Sequence, residues 1–420
     1  MLLPYGIIEQ KDGISLKHVI IGNGAAASTA AWKLREMDAG AGITVISREN
    51  VPAYMKIMLP DYTGGKISRE KLFIRDINSY RSDNIDLQLN TVITGVDTRK
   101  HEIYPSSGSP IQYDDLLIAA GGVPFVPDIA GLKETEYYII NSLEDADIIK
   151  NAASPGKTAL ILGGGLTGIE MAFALERLGM NVVIAEKMDR ILPVQLDDRC
   201  RAVFITWLEA GRIRLMTGKS AHGISRLSQR RSMSFSDGSE ILYDMLLVTI
   251  GTRPDISIVE GSGIKCGRGI LVDDRMKTSA ESVYAAGDIA DGLRKTAAGY
   301  VTSYIWPAAI SQGRCAAINM GGSTDILSPE SLLQNSINLR DIPFCSMGMI
   351  NPPSPDYSSY YSLDSEKRIY KKIVVKDGIL SGMIFIGDVE SANRIASLIR
   401  KGTELSSDIR SELHSEGFIF

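Results

Sequence analysis

Two segments of the chain repeat one design, and this repetition limits the available folds more than any other feature. Lys17–Ile21 reads as a short apolar strand. It runs into Gly22-Asn23-Gly24-Ala25-Ala26-Ala27, a helix to about Met37 and a second strand at Ile43–Ile46. The same order returns with a strand at Thr158–Leu162, the loop Gly163-Gly164-Gly165-Leu166-Thr167-Gly168, a helix to Leu178 and a strand at Val182–Ala185. Each is a βαβ unit, which implies parallel strands under helix cover. Solenoid repeats recur within roughly 50 residues, and these two lie much farther apart, so two separate nucleotide folds are predicted rather than an array.

Glycines in such a loop let the chain turn sharply and bring backbone N–H groups against a pyrophosphate, while the helix N-terminus offers its positive dipole end. Gly22, Gly24, Ala25 and Ala26 are the candidates in the first loop, and Gly163, Gly165, Leu166, Thr167 and Gly168 in the second. Glu186 closes the second strand of the later unit. A carboxylate there accepts from a free ribose 2′-hydroxyl and repels a 2′-phosphate, which favours NADH over NADPH. Lys187 beside it leaves scope for residual NADPH binding. In the first unit the corresponding place falls in Ile46-Ser47-Arg48-Glu49 and is held by Ser47. Either Ser47 bonds the ribose, or Glu49 reaches back from the loop; both readings stand.

A chain of 420 residues is long enough for two to four domains of about 100–200 residues each. Its charges are scattered with a formal balance of −5, which supplies neither the basic face of a nucleic-acid binder nor a polybasic membrane anchor. The N-terminus is apolar only briefly and carries Glu9 and Asp12, unlike a signal peptide. The uncharged run Thr296–Gly313 is broken by Pro307, hydroxyls and Gln312 and reads as a buried cofactor-side helix rather than a membrane span. A cytoplasmic protein is expected. Cys200, Cys266, Cys315 and Cys345 stand far apart without a C-x-x-C spacing, and His18, His101, His222 and His414 form no ligand pattern. No metal site or disulfide framework is therefore expected.

Between the two units lie β-rich stretches, Val92–Tyr104 and Tyr113–Ala120, and the turn Gly121–Pro127. After the second unit come a hairpin region with Asp237-Gly238 as turn signal and a strand at Met245–Ile250. From about Leu327 the pattern changes to a Ser/Pro-rich loop (Asn351–Ser359), strands at Ile369–Val375 and Ile379–Ile386 joined across Lys376-Asp377-Gly378, and a helix at Ser391–Arg400. The polar end from Gly402 reads as a loose tail or a docking helix. The expected fold is α/β, with two Rossmann-like three-layer dinucleotide-binding domains plus a small C-terminal α+β domain. The expected boundaries are 1–120 with 245–326 for the discontinuous first domain, 121–244 for the second and 327–420 for the third.

Three further motifs fall between these landmarks. Tyr284-Ala285-Ala286-Gly287-Asp288 is a strand ending in a Gly-Asp turn. Leu117-Ile118-Ala119-Ala120-Gly121-Gly122-Val123-Pro124 and Thr249-Ile250-Gly251-Thr252-Arg253-Pro254 are two strand-to-glycine crossings. In this order, with the two loops, they resemble the FAD-dependent pyridine nucleotide-disulfide oxidoreductases over nearly the whole chain. The resemblance implies FAD on the first loop and NADH on the second. It implies that Asp288 accepts from a ribityl hydroxyl, that Ala120, Gly121, Gly251 and Gly287 line the cofactors, and that Trp306, with Pro307 and Gln312, shapes the flavin pyrimidine side. Arg253 is left between a flavin phosphate contact and a turn cap. Within the family, Val51–Leu59 and Tyr370–Leu380 with Gly387-Asp388 look most like the NADH:rubredoxin reductase branch and the flavin portion of assimilatory nitrite reductases.

Disulfide-reducing members need a thiolate on the segment after the second strand, and Glu49–Thr63 contains no cysteine. Without one there is no dithiol exchange or sulfenate chemistry. What remains is hydride transfer from NADH to flavin and electron release to an acceptor, with the cofactors carrying the reaction. By resemblance, Lys56 on the flavin-side segment and Glu170 on the first turn of the second helix are expected as a functional ion pair near the flavin. The expected acceptor is a protein electron carrier such as rubredoxin or another iron–sulfur protein. The alternative is an NAD-linked flavin subunit of a larger oxidoreductase of the 2-oxoacid (phenylglyoxylate) type. A homodimer and a hetero-oligomer are both open. A non-enzymatic nucleotide sensor fits least, because it needs no second cofactor loop.

Overall fold

The computed structural model describes residues 16–227, 230–292, 295–296, 299–300, 305–322, 329, 334–339, 342–352, 354–415 and 417–418. The N-terminal stretch and parts of the 296–313 run considered above lie outside them. Among the described residues no helix is long and apolar enough to cross a membrane. Nor is any group of His, Cys, Asp and Glu among them arranged to hold a metal ion. The chain divides into two units. The first is formed by the described parts of Met1–Tyr54, Ile74–Gly122 and Pro254–Pro329, and the second by those of Met55–Phe73, Val123–Arg253 and Glu330–Phe420.

In the first unit five short strands lie parallel in the order Val283–Ala285, Asp115–Ile118, Lys17–Ile21, Gly42–Ile46 and Ile85–Gln88. A parallel sheet is covered on both faces, and its strands therefore read as apolar runs rather than alternating ones. Ile20, Val45 and Leu117 are fully buried at its centre. Helix α1 (Ala25–Met37) buries a run of alanines, and the helix Trp306–Met320 packs against it. A Cβ on Gly313 would lie 2.2 Å from the carbonyl oxygen of Ala26, so this crossing admits only small residues. Ile93, Val96 and Ile103, from a three-stranded antiparallel sheet, join the same core.

In the second unit four parallel strands follow the order Ile213–Met216, Asn181–Ala185, Thr158–Leu162 and Met245–Val248. Around them lie α2 (Leu59–Thr63), α3 (Leu143–Ala152), α4 (Leu166–Arg177) and α5 (Asp198–Glu209). A three-stranded antiparallel sheet carries Met233 and Phe235 into a core shared with Leu160 and Val183. The C-terminal part is a five-stranded antiparallel sheet in the order Gln334–Leu339, Ile342–Gly348, Ile379–Ile386, Ile369–Lys376 and Tyr357–Asp364, with the helix Ala392–Arg400 on it. Asp377 and Gly378 both have positive φ (51° and 80°), as a two-residue type I′ hairpin requires. The polar end is helical at Ser407–Ser415, and Leu413 and Phe418 are buried in the C-terminal core.

Tyr370 and Lys372 lie two residues apart and so share one face of their strand. On that face the Tyr370 hydroxyl donates to Asp197 Oδ2 (2.6 Å), and Lys372 Nζ lies 2.9 Å from the same oxygen. Lys371 points to the other face and pairs with Asp388 at 2.8 Å.

Candidate active site

The first loop is shaped for close approach. Gly22 has φ +112°, and a Cβ there would sit 2.2 Å from Ala119 O. Gly24, the N-cap of α1, has nothing within 4 Å of its own Cβ position. No side chain caps this helix and no acid stands in its first turn, so its leading N–H groups suit an anion. Asn23 Oδ1 accepts from the Tyr80 hydroxyl (2.8 Å), while the buried Asn23 Nδ2 has no partner among the described residues. An orphaned donor inside a glycine loop fits a phosphate-bearing ligand. The Gly287–Asp288 turn is brought to the same place: a Cβ on Gly287 would lie 3.4 Å from that of Ala26, and Gly287 N donates to the buried Gln312 Oε1 (2.8 Å). Gly22, Gly24, Ala26, Ala120 and Gly287 thus converge within the first unit.

At the end of the Gly42–Ile46 strand, Ser47 is buried and its Oγ accepts from the backbone of Glu49 (3.2 Å). Glu49 is half-buried and accepts from the Tyr54 hydroxyl (2.7 Å), whereas Arg48 is exposed. Trp306 opens its helix, half-buried, with Pro307 next to it.

The second loop repeats the geometry. Gly163 has φ +113° and its Cβ would meet Thr249 O at 2.5 Å; a Cβ on Gly168 would meet Gly163 O at 2.0 Å, which seats α4 against the strand. Gly165 faces open space, and the α4 N-terminus is likewise uncapped and free of acids. Leu166 and Thr167 begin that helix. The Glu186 carboxylate accepts from Gly164 N and Met188 N, each at 2.7 Å, and is thereby fixed at the mouth of the loop with lone pairs to spare. Both sites therefore fit dinucleotides on geometry alone.

The profile of the family described as pyridine nucleotide-disulphide oxidoreductase matches residues 16–313. The chain belongs to this family. It is an oxidoreductase that binds FAD and takes NADH as its substrate. A second profile, that of the rubredoxin NAD+ reductase C-terminal domain, matches residues 334–403. The epsilon subunit of NADH-dependent phenylglyoxylate dehydrogenase from Aromatoleum evansii is 28% identical over 395 residues, covering 93% of each chain. An NAD(P)H nitrite reductase of Bacillus subtilis is 28% identical over 389 residues, 92% of this chain and 48% of its own length, so the chain spans about half of that relative. Among solved structures, NADH:rubredoxin oxidoreductase from Clostridium acetobutylicum shares the fold with a TM-score of 0.75 over 96% of this chain and 100% of its own, at 24% identity.

The family's name refers to disulphides, yet none of the four thiols here is prepared for that chemistry. Burial pushes the thiols of Cys200, Cys266 and Cys345 up and that of Cys315 up to about 12, so all are protonated near neutrality.

Lys56 and Glu170 both fall in the second unit. Lys56 Nζ donates to Asn141 O at 3.0 Å. Glu170, the fifth residue of α4 and so past its first turn, keeps part of its surface exposed, but burial and then repulsion by Asp61 push its carboxyl up to about 8. A paired lysine would act in the opposite direction. Arg253 lies 3.6 Å over the Phe125 ring. Sequence reasoning missed Tyr80, Tyr54 and Asp61. Tyr80 and Asp61 gain their places only because distant segments meet, whereas Tyr54 reaches Glu49 from five residues away.

Proposed function

We propose that the chain is an NADH-dependent flavin reductase whose electrons leave to a small iron–sulfur protein of the rubredoxin type. The observation that carries this reading is the C-terminal domain, which matches that of rubredoxin NAD+ reductases, on a chain with no cysteine between Glu49 and Thr63. FAD, when bound, supplies the means to accept a hydride and release its electrons one at a time. The first loop holds it by Gly22, Gly24, Ala25 and Ala26, with Ala120, Gly121, Gly287, Asp288 and Trp306 along it, and Gly251 is a further cofactor-binding residue. Glu49 bonds its ribose, since the Ser47 hydroxyl is buried and engaged locally. Gly163, Gly165, Leu166, Thr167 and Gly168 hold NADH, and Glu186 takes its ribose hydroxyls. Lys56 places a positive charge on the flavin side. Glu170, protonated below about pH 8, adds no negative charge to oppose it. The FAD loop falls in the unit made of Met1–Tyr54, Ile74–Gly122 and Pro254–Pro329 and the NADH loop in that made of Met55–Phe73, Val123–Arg253 and Glu330–Phe420, which moves 55–73 and 245–253 out of the expected 1–120 with 245–326 domain. A cytoplasmic setting suits four cysteines that form no disulfide.

Anaerobic NADH is expected to bleach the flavin without a long-wavelength thiolate band, and added rubredoxin is expected to restore the colour. A protein that NADH does not bleach ends the proposal. Glu186→Ala is expected to raise the KM for NADH at least about tenfold and that for NADPH far less; equal changes would remove Glu186 from its role. The likeness to the phenylglyoxylate dehydrogenase subunit favours a second reading, an NAD-linked flavin subunit of a larger assembly. Size-exclusion of the native protein separates the two readings: a free monomer or homodimer on one, a hetero-oligomer on the other.

A further inference from the structure

The segment Met55–Phe73 belongs to the second unit although the chain on either side of it belongs to the first. Hydrogen bonds pin its neck: Met55 N donates to Leu72 O and Ile74 N to Ala53 O, each at 2.9 Å. Its body is held by α3. The Tyr62 hydroxyl donates to Asp147 Oδ1 at 2.5 Å, and Arg69 pairs with the other carboxylate oxygen of Asp147. Arg69 also reaches the Tyr62 oxygen at 3.4 Å, and Lys150 Nζ sits 4.4 Å over the Tyr62 ring. Burial alone would raise the Asp147 carboxyl, but the hydrogen bonds from Tyr62 and Arg69 hold it below the usual carboxylate range, so it remains a charged acceptor at neutral pH.

The same helix receives Lys56. Its acceptor, Asn141 O, belongs to the turn in which Asn141 N and Ser142 N both donate to Asp145 Oδ2 and Asp145 N donates to Ser142 Oγ, the capping box of α3. Across α2, a Cβ on Gly64 would lie 2.9 Å from Ala174 Cα, so the segment also rests directly on α4, which carries Glu170. Lys56 is thus held at one end of the segment by the start of α3, while Tyr62 and Arg69 are held farther along it by the next turn of that helix.

We infer that Asp147 is a positioning residue: through Tyr62 and Arg69 it locks the Met55–Phe73 segment onto α3 and so sets where Lys56 stands for hydride transfer. The inference rests on the flavin-side role proposed for Lys56. Misplacement of a reacting geometry by about 1 Å costs up to roughly a hundredfold in rate, and loosening a clasp costs less. In the FAD-loaded enzyme, Asp147→Ala is expected to lower the limiting rate of flavin reduction by NADH about tenfold, with the KM for NADH within about twofold of wild type. Amide hydrogen exchange across 55–73 should rise, and Asp147→Glu should restore part of the rate. FAD content and unfolding midpoint establish that the variant is folded. Should Asp147→Ala fail to fold, Arg69→Gln, at a more exposed partner, is expected to show the same rate and exchange changes in smaller measure. An unchanged limiting rate, or unchanged exchange across 55–73, overturns the inference. Lys56→Met is measured alongside: if it leaves both the reduction rate and the flavin midpoint potential unchanged, the reading of Lys56 falls, whatever Asp147→Ala shows.

Discussion

Gly22→Ala is expected to yield protein that retains almost no FAD and is purified colourless. The added Cβ would stand 2.2 Å from Ala119 O and 2.7 Å from Ala119 C, and the backbone would hold alanine at φ +112°. A disfavoured backbone costs about 1–3 kcal/mol, and overpacking about 1–3 kcal/mol more. The loop escapes both by moving, and that movement withdraws the N–H groups from the phosphates. Since each 1.4 kcal/mol is tenfold in affinity, FAD binding should weaken by roughly 30-fold or more. Gly24→Ala separates this from general damage, because its Cβ meets nothing within 4 Å and its N-cap backbone is extended. It is expected to fold with a wild-type unfolding midpoint as apoprotein and yet to bind FAD weakly, the methyl group facing the ligand rather than the protein. Flavin absorbance relative to protein absorbance reads both variants, with circular dichroism as the control. A fully yellow Gly22→Ala protein would remove the first loop from the FAD site.

Much of this geometry was legible in the chain. A glycine at each turn, a strand before it and a helix after it are local signals, and the two parallel sheets follow from them because βαβ units close in only one way. The missing cysteine was equally local, and the burial of Cys200, Cys315 and Cys345, with Cys266 half-buried, agrees with the chemistry it implies. Interactions between distant segments were not legible. Glu170 was read from its place on the first helical turn, but the charge that acts on it, Asp61, sits on a short helix whose packing against α4 no periodicity announces. Ser47 was a visible departure from pattern. That its hydroxyl is spent on the Glu49 backbone, with Glu49 in turn held by Tyr54, is set by the turn geometry after the strand and not by the residue pattern.

Lys371 and Lys372 illustrate the same limit with the larger energetic consequence. Adjacent lysines in a strand ordinarily put at least one charge in water, yet both are buried here because each face of the strand finds a carboxylate elsewhere in the chain. Lys372 also donates to Ile350 O at 2.9 Å, and Asp197 accepts from Cys200 N (2.8 Å) as the N-cap of α5. The network therefore joins the C-terminal sheet to the N-terminus of α5 within the second unit. Lys372→Met preserves bulk but leaves Asp197 buried without its cation, and such a loss costs about 3–5 kcal/mol. At about 2–4 °C per kcal/mol for a domain of this size, the unfolding midpoint should fall by roughly 10 °C. Asp197→Asn together with Lys372→Met removes the uncompensated charge while keeping an acceptor for Tyr370. The double variant is therefore expected to be more stable than Lys372→Met alone, and with Asp197→Asn measured by itself the double-mutant cycle reads the coupling between the two side chains. Calorimetric midpoints of the four proteins, wild type included, decide it. If Lys372→Met unfolds with the wild type, the pair holds nothing together, and the C-terminal sheet is seated by its apolar contacts alone, through Phe344, Ile384 and Ile386 against the core of the second unit.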